Sequence, residues 1–187
     1  MMSKRSFPID KRCWSPSLIP GPIVLVSTVN ASGEPNVAPK SWVQMVAFDP
    51  PTLMFSGTHG NPTERNIEAI GCFAINIVDE PMLEGVLGCL RWHGAQRIEK
   101  SGWRLEPART IAAPLVANCP AHLECTLERT TAIGSGFVVF GRIVAASIDQ
   151  RIADADSDKK YETLRQVCFL EEGVYAVVRE TFGNRRG

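Results

Sequence analysis

Apolar positions fall in short runs broken by turn residues along most of the chain, and few runs carry helical spacing. Residues 23–29 (IVLVSTV) predict a β-rich strand, and 30–35 (NASGEP) a turn. Residues 36–48 (NVAPKSWVQMVAF) predict one long strand. Neither its odd nor its even positions are purely polar, so both faces are expected to be covered. Asp49-Pro50-Pro51 breaks it, because two prolines remove two ladder donors. Further strands are predicted at 52–56, 72–78, 122–131, 137–149 and 174–180.

Helical signals are sparse. Asn61 suits an N-cap, Pro62 the first turn and Glu64 the third position of a capping box. Ile67 and Ile70 recur on one face, and Gly71 ends a helix predicted over 62–70. Residues 80–91 read as a second helix weakened by Gly85 and Gly88. Residues 92–118 are less periodic and read as an excursion with a short strand near 103–106. The charged stretch 154–160 reads as an exposed loop. Many strands, few helices and frequent turns predict a mainly β protein, a closed or nearly closed antiparallel barrel. Residues 1–20 read as a lead-in and 21–187 as the barrel domain, with an excursion at 79–118.

Composition narrows the partners. Across 187 residues, 20 basic and 20 acidic side chains cancel. That balance argues against nucleic acid and anionic membrane, which are met with a basic excess. No run is long enough for a membrane span, and the N-terminus does not read as a secretory signal. Six cysteines without such a signal read as reduced thiols in a cytoplasmic protein. His122 and Cys125 would face opposite sides of a strand, so no metal site is expected. No phosphate-binding glycine loop, zinc motif or nucleophile elbow occurs. No catalytic side chain stands out, so demanding chemistry would come from a bound organic cofactor.

One segment has the chemistry for such a group. Residues 56–66 (SGTHGNPTERN) join a strand end to a helix start. They offer hydroxyls, glycines, free helix amides and Arg65, a combination that suits a phosphate monoester. Lys40, Ser41 and Trp42 could line an adjacent groove for a flat heterocycle. The plainer alternatives stay open: Asn61 as a cap only, Thr63 and Asn66 as solvated helix residues, Trp42 as core.

The order of these segments resembles the flavin reductase-like family of FMN-binding split barrels. The resemblance rests on 22–42, 48–56, 62–78, 122–128 and 137–149, with N-V-A-P-x-S, D-P-P, T-x-x-N-I and F-x-x-N in succession. It implies a six-stranded antiparallel Greek-key split barrel with a few short helices, and a homodimer with FMN at the interface. It also implies that Pro39, Lys40, Ser41 and Trp42 run along the flavin. Ser56, Gly57 and Thr58 would approach its ribityl or phosphate, and Thr63, Arg65 and Asn66 would close on the phosphate.

Two departures matter. Asn61-Pro62 stands where many members have Lys-Asp, so Arg65 or Lys40 would replace a missing lysine contact. Gly136 stands where many reductases carry the histidine of Gly-Asp-His, on the nicotinamide side. The expected activity is NAD(P)H-dependent reduction of FMN by hydride transfer to flavin N5, with NADH or NADPH as co-substrate and an oxygenase as possible partner. The alternatives are an FMN electron carrier or small-molecule reductase served by a protein donor, and a barrel that has lost its flavin. Trp92, His93, Arg97 and Trp103 are candidates to cover the flavin, or equally to pack outside the barrel. Tyr161 and Leu164 could reach a second subunit.

Overall fold

The computed structural model describes residues 18–183. The strands are β1 (Gly21–Pro22), β2 (Val24–Val29), β3 (Pro35–Lys40), β4 (Val43–Phe48), β5 (Pro51–Thr58) and β6 (Cys72–Ile77). They continue with β7 (Leu105–Glu106), β8 (Leu115–Val116), β9 (Ala121–Ile133), β10 (Gly136–Ile148), β11 (Val167–Glu171) and β12 (Val174–Val177). The helices are α1 (Pro62–Ile70), α2 (Leu83–Cys89), α3 (Ala95–Lys100), α4 (Gln150–Ala153) and α5 (Lys160–Leu164), with a 3₁₀ turn at Glu80–Met82 before α2.

Seven strands form one antiparallel sheet in the order β3-β2-β6-β9-β10-β5-β4. Its two edge strands, β3 and β4, are consecutive in the chain and separated only by Ser41 and Trp42. The three Cα–Cα steps from Lys40 to Val43 span at most about 11 Å, so the opposite edges of the sheet must meet. The sheet therefore rolls into a split barrel with its seam at Ser41–Trp42. The amide of Ser56 on β5 donates to the Trp42 carbonyl at 3.1 Å, which carries the β4–β5 ladder up to the seam.

The expected class is correct and the strand count differs. The single strand expected over 36–48 is two, because the chain leaves one sheet edge at Lys40 and joins the other at Val43. The expected barrel strand at 174–180 is instead β12, which pairs with β11, itself paired on its other side with β1, in a small separate sheet. Helix α3 lies in the stretch expected to lack periodicity, and α5 begins at the end of the expected 154–160 loop. Residues 1–17 of the expected lead-in, with Cys13, lie outside the described residues.

The unbroken apolar start of β2 has a simple cause. Val24 and Val26 enter a barrel-interior cluster with Phe55, Phe73 and Phe137, while Leu25 and the preceding Ile23 enter a second cluster with Val86, Trp103 and Val116. That second cluster welds the 79–118 excursion onto the barrel. Polar ties register it. Asn76 donates to Leu25 O and Ser27 Oγ, each at 2.9 Å, and accepts from the Val116 amide at 2.8 Å. Glu124 on β9 accepts from the Arg109 and Thr110 amides and the Thr110 hydroxyl. Burial works to raise the Glu124 pKa, but these hydrogen bonds outweigh it and hold the carboxyl below its ordinary value.

Trp103 is buried in this weld rather than spread over an open face, and Leu164 is buried while Tyr161 is exposed. The five described cysteines are unbridged. Among the described residues no helix is long and apolar enough to cross a membrane.

Candidate flavin cleft at the barrel seam

Helix α1 forms where its caps require. Asn61 accepts from the Glu64 amide at 3.1 Å, and Gly71 closes the helix at φ 78°. The Glu64 carboxylate turns back one residue beyond the expected capping box, to the Gly60 amide and to His59 Nδ1 at 2.7 Å. The threonine and asparagine of the T-x-x-N run tie α1 to the β2–β3 hairpin. Thr63 Oγ1 accepts from Asn36 Nδ2, and Asn66 Nδ2 donates to Thr28 Oγ1, each at 3.1 Å. The start of α1 is thereby fixed beside the start of β3.

Three cavities reach the seam; one of about 550 Å³ lies against Ser41, Trp42 and Ser56, and the other two adjoin at Lys40. The first of these two, about 280 Å³, is mostly apolar. Pro39, Lys40, Ser41, Trp42, Ser56, Gly57 and Thr58 form one wall; Val86, Leu87, Leu90, Phe169 and Tyr175 face them. The second, about 330 Å³, runs from Lys40 and Thr58 to the start of α1 at Asn61–Thr63, and is closed by Leu90, His93 and Arg97. Pro39, Lys40, Thr58 and Leu90 belong to both. Among the described residues no carboxylate lines either.

Eight of the ten expected site residues, all but Arg65 and Asn66, line this double cavity. Arg65 is exposed and donates to the Gly60 carbonyl of its own loop, while Asn66 is taken up by Thr28. Arg97 and His93 do line the cleft; Trp92 contributes only its carbonyl, to Arg97. The apolar contributors Val86 and Leu90 belong to the segment expected as a weak helix over 80–91, not to the expected site. Their i, i+4 spacing on a short amphipathic segment was the available signal.

Gly57 is required by close approach. A Cβ there would lie 2.8 Å from the Phe137 ring and 2.9 Å from Lys40 Nζ. Lys40 occupies the space so left. It lies 6.0 Å from the Phe137 centroid and has no carboxylate or carbonyl partner among the described residues. Burial first, and then the Arg97 guanidinium, hold its pKa below the usual 10.5.

Residues 17–165 match the family described as the flavin reductase like domain. The chain belongs to that family. Its chemistry is that of a flavin-related oxidoreductase. Among solved structures, nitrilotriacetate monooxygenase component B from Bacillus cereus superposes with a TM-score of 0.86 at 23% identity, over 98% of this chain and 99% of that one. The 2-nitrobenzoate 2-nitroreductase NbaA of Pseudomonas fluorescens gives 0.82 at 26% identity, over 92% and 88%. Flavoredoxin of Desulfovibrio vulgaris (Miyazaki F) gives 0.80 at 22% identity, over 95% and 98%.

The residues present fit FMN. An apolar slot running into a polar, carboxylate-free compartment suits a flat ring with a phosphate tail. The Lys40 ammonium, without a carboxylate or carbonyl partner among the described residues, fits the same group.

Proposed function

We propose that this protein is an FMN-binding, NAD(P)H-dependent flavin reductase that works as a homodimer and supplies reduced flavin to a partner oxygenase. The observation that carries the reading is the double cavity, apolar at the seam and cationic beside α1, with Lys40 at the junction. When bound, FMN supplies the two-electron chemistry, accepting hydride from a nicotinamide at N5. Pro39, Ser41, Trp42 and Ser56–Thr58 would hold the ring, largely through backbone groups. Val86, Leu90 and Tyr175 would exclude water from its other side. Thr58, Thr63 and Lys40 would hold the phosphate end.

No side-chain acid or base is required of the protein. Its contribution is orientation and a fixed positive field. The similarity to a monooxygenase component B supports the oxygenase partner. An exposed apolar row on β4 and at the seam (Trp42, Met45, Val46, Phe48) supports pairing of two copies. Unbridged cysteines suit a reducing, cytoplasmic setting.

A second reading keeps FMN permanently bound and takes electrons from a protein donor. Gly136 favours it. The residue pairs with Thr58 at the cleft end of β5, and a Cβ there would lie 3.1 Å from the Gly57 carbonyl, so the histidine of dedicated reductases has no ready place. Anaerobic mixing with NADH and with NADPH separates the two readings. Rapid loss of the yellow oxidised-flavin band with either nucleotide is the expected result. A protein that binds FMN but is bleached by neither contradicts the reductase assignment.

A further inference from the structure

Helix α2 and the turn that follows it face two different cavities. Val86 and Leu90 line the seam cavity, whereas Glu84, Gly88 and Arg91 line a polar cavity of about 520 Å³ between α2 and α3. The helical period sets these groups on opposite sides, with Leu87, which lines both cavities, between them. Glycines open the second face. A Cβ at Gly85 would lie 3.3 Å from the Ser101 carbonyl at the end of α3, and one at Gly88 would meet nothing within 4 Å. Lys100 and Ser101 complete the lining. The Ser101 hydroxyl oxygen is buried and has no hydrogen-bond partner among the described residues, a cost that a ligand would offset. Arg91 and Lys100 are exposed, and among the described residues no ion pair or side-chain hydrogen bond engages either. By contrast Arg142, Arg151, Lys159, Arg165 and Arg179 each meet a carboxylate. Residues 91–109 hold five basic side chains against two acidic ones, in a chain whose charges cancel overall, so the local field favours an anion.

We propose that the α2–α3 cavity takes the adenosine 2′-phosphate end of NADPH and so makes the reductase select NADPH over NADH. The proposal rests on the NAD(P)H-dependent reading above. With FMN in the seam cavity and the compartment beside α1, a nicotinamide stacked on the ring leaves its adenosine half to lie outside both. Leu87 and Leu90 form the lip over which it leaves, and Arg91 follows Leu90 directly. A 2′-phosphate answers both cations and the hydroxyl together: Arg91 can grip it bidentately, Lys100 meets it as a point charge, and Ser101 has a proton to donate. NADH lacks that phosphate and leaves both cations unmatched. Adenine is flat and needs a surface without side chains, which Gly85 and Gly88 provide. Glu84 stands seven residues from Arg91, about 10 Å at helical rise. It is therefore clear of the phosphate and free to accept from the adenine amino group. A concave site with a buried hydroxyl suits a small ligand better than a flat acidic protein surface.

The test has a binding arm and a kinetic arm. In the first, 2′-AMP and 5′-AMP are titrated by calorimetry into the wild type and Arg91→Gln. The wild type is expected to bind 2′-AMP at least about tenfold more tightly than 5′-AMP, and Arg91→Gln to lose that preference. In the second, KM and kcat are measured for both nucleotides with the FMN-loaded protein. Arg91→Gln and Lys100→Gln are each expected to raise the KM for NADPH at least about fivefold, with kcat and the KM for NADH changed less than about twofold. Both side chains are exposed, so neither substitution disturbs the core. Equal affinity for 2′-AMP and 5′-AMP, a wild type that prefers NADH, or equal KM shifts for the two donors overturns the proposal. If neither donor reduces FMN, the reductase reading itself fails. The 2′-AMP titration then decides the cavity alone: binding lost in Arg91→Gln supports a 2′-phosphate site, and no binding to the wild type removes it.

Discussion

On one side of the cleft the lining is strand and seam: Pro39, Ser56, Gly57 and Thr58, held by the β3–β2 and β5–β10 ladders, with Lys40, Ser41 and Trp42 where β3 gives way to β4. On the other side Val86, Leu90 and Arg97 present full-length side chains from short helices. The strand wall is shaped by what is missing, above all a Cβ at residue 57. The excursion wall is shaped by what is present, and it is held to the barrel by two buried polar anchors, Asn76 and Glu124. A strand wall tolerates almost no added volume, because its neighbours are ladder-bonded. An excursion wall tolerates substitution but depends on how firmly it is docked.

Three variants sharpen the contrast, beginning with the largest effect. Gly57→Val places a branched side chain on Phe137 and Lys40. It is expected to lower flavin affinity more than about 100-fold and to cost about 1–3 kcal/mol in overpacking, measured by titration and urea unfolding. If the variant binds normally, the strand wall is not the ring site.

Glu124→Gln removes the charge that receives three hydrogen bonds from residues 109–110. A loss of about 1.5–3 kcal/mol is expected, with hydrogen exchange rising first in the excursion and not in β9 or β10. Because the folded carboxyl sits below its ordinary 4.5, its stabilisation is complete above that value and fades as pH falls toward the folded one. Glu124→Gln should flatten that acid limb; an unchanged limb would place the acid sensitivity elsewhere.

Lys40→Met is the smallest and has opposite signs for the two states. With Lys40 held below 10.5 in the folded chain, the unliganded protein gains stability as pH climbs from the folded value toward 10.5. The methionine variant should lose that slope and be no less stable than wild type at neutral pH. It should also bind FMN more weakly while binding riboflavin equally well. Weaker riboflavin binding would assign Lys40 to the ring instead of the phosphate.

The two walls also differ in how far they can be read from the chain. The strand wall and α1 are local: Asn61, Pro62, Glu64 and Gly71 lie within eleven residues, and each does its expected job except that Glu64 reaches Gly60. The seam was hidden because 36–48 has strand composition throughout, and only the pairing of β3 with β2 and β4 with β5 shows that the chain changes edges. Arg97 was visible only as one of several candidate covers, since its partner Val37 O is 60 residues away. Arg65 lies in the right segment, but residue type alone does not say that its side chain folds back on its own loop. Trp103 shows the same limit: its position in the excursion suggested a cover, and its burial makes it part of the weld.

The central claim is that the seam cleft holds FMN, ring against the strand wall and phosphate beside α1. The most direct test is titration of FMN into the wild-type protein and into Gly57→Val, followed by flavin fluorescence. The account expects saturable quenching at one FMN per chain in the wild type and its loss in the variant. Quenching that survives Gly57→Val unchanged, or no quenching in the wild type, would contradict it.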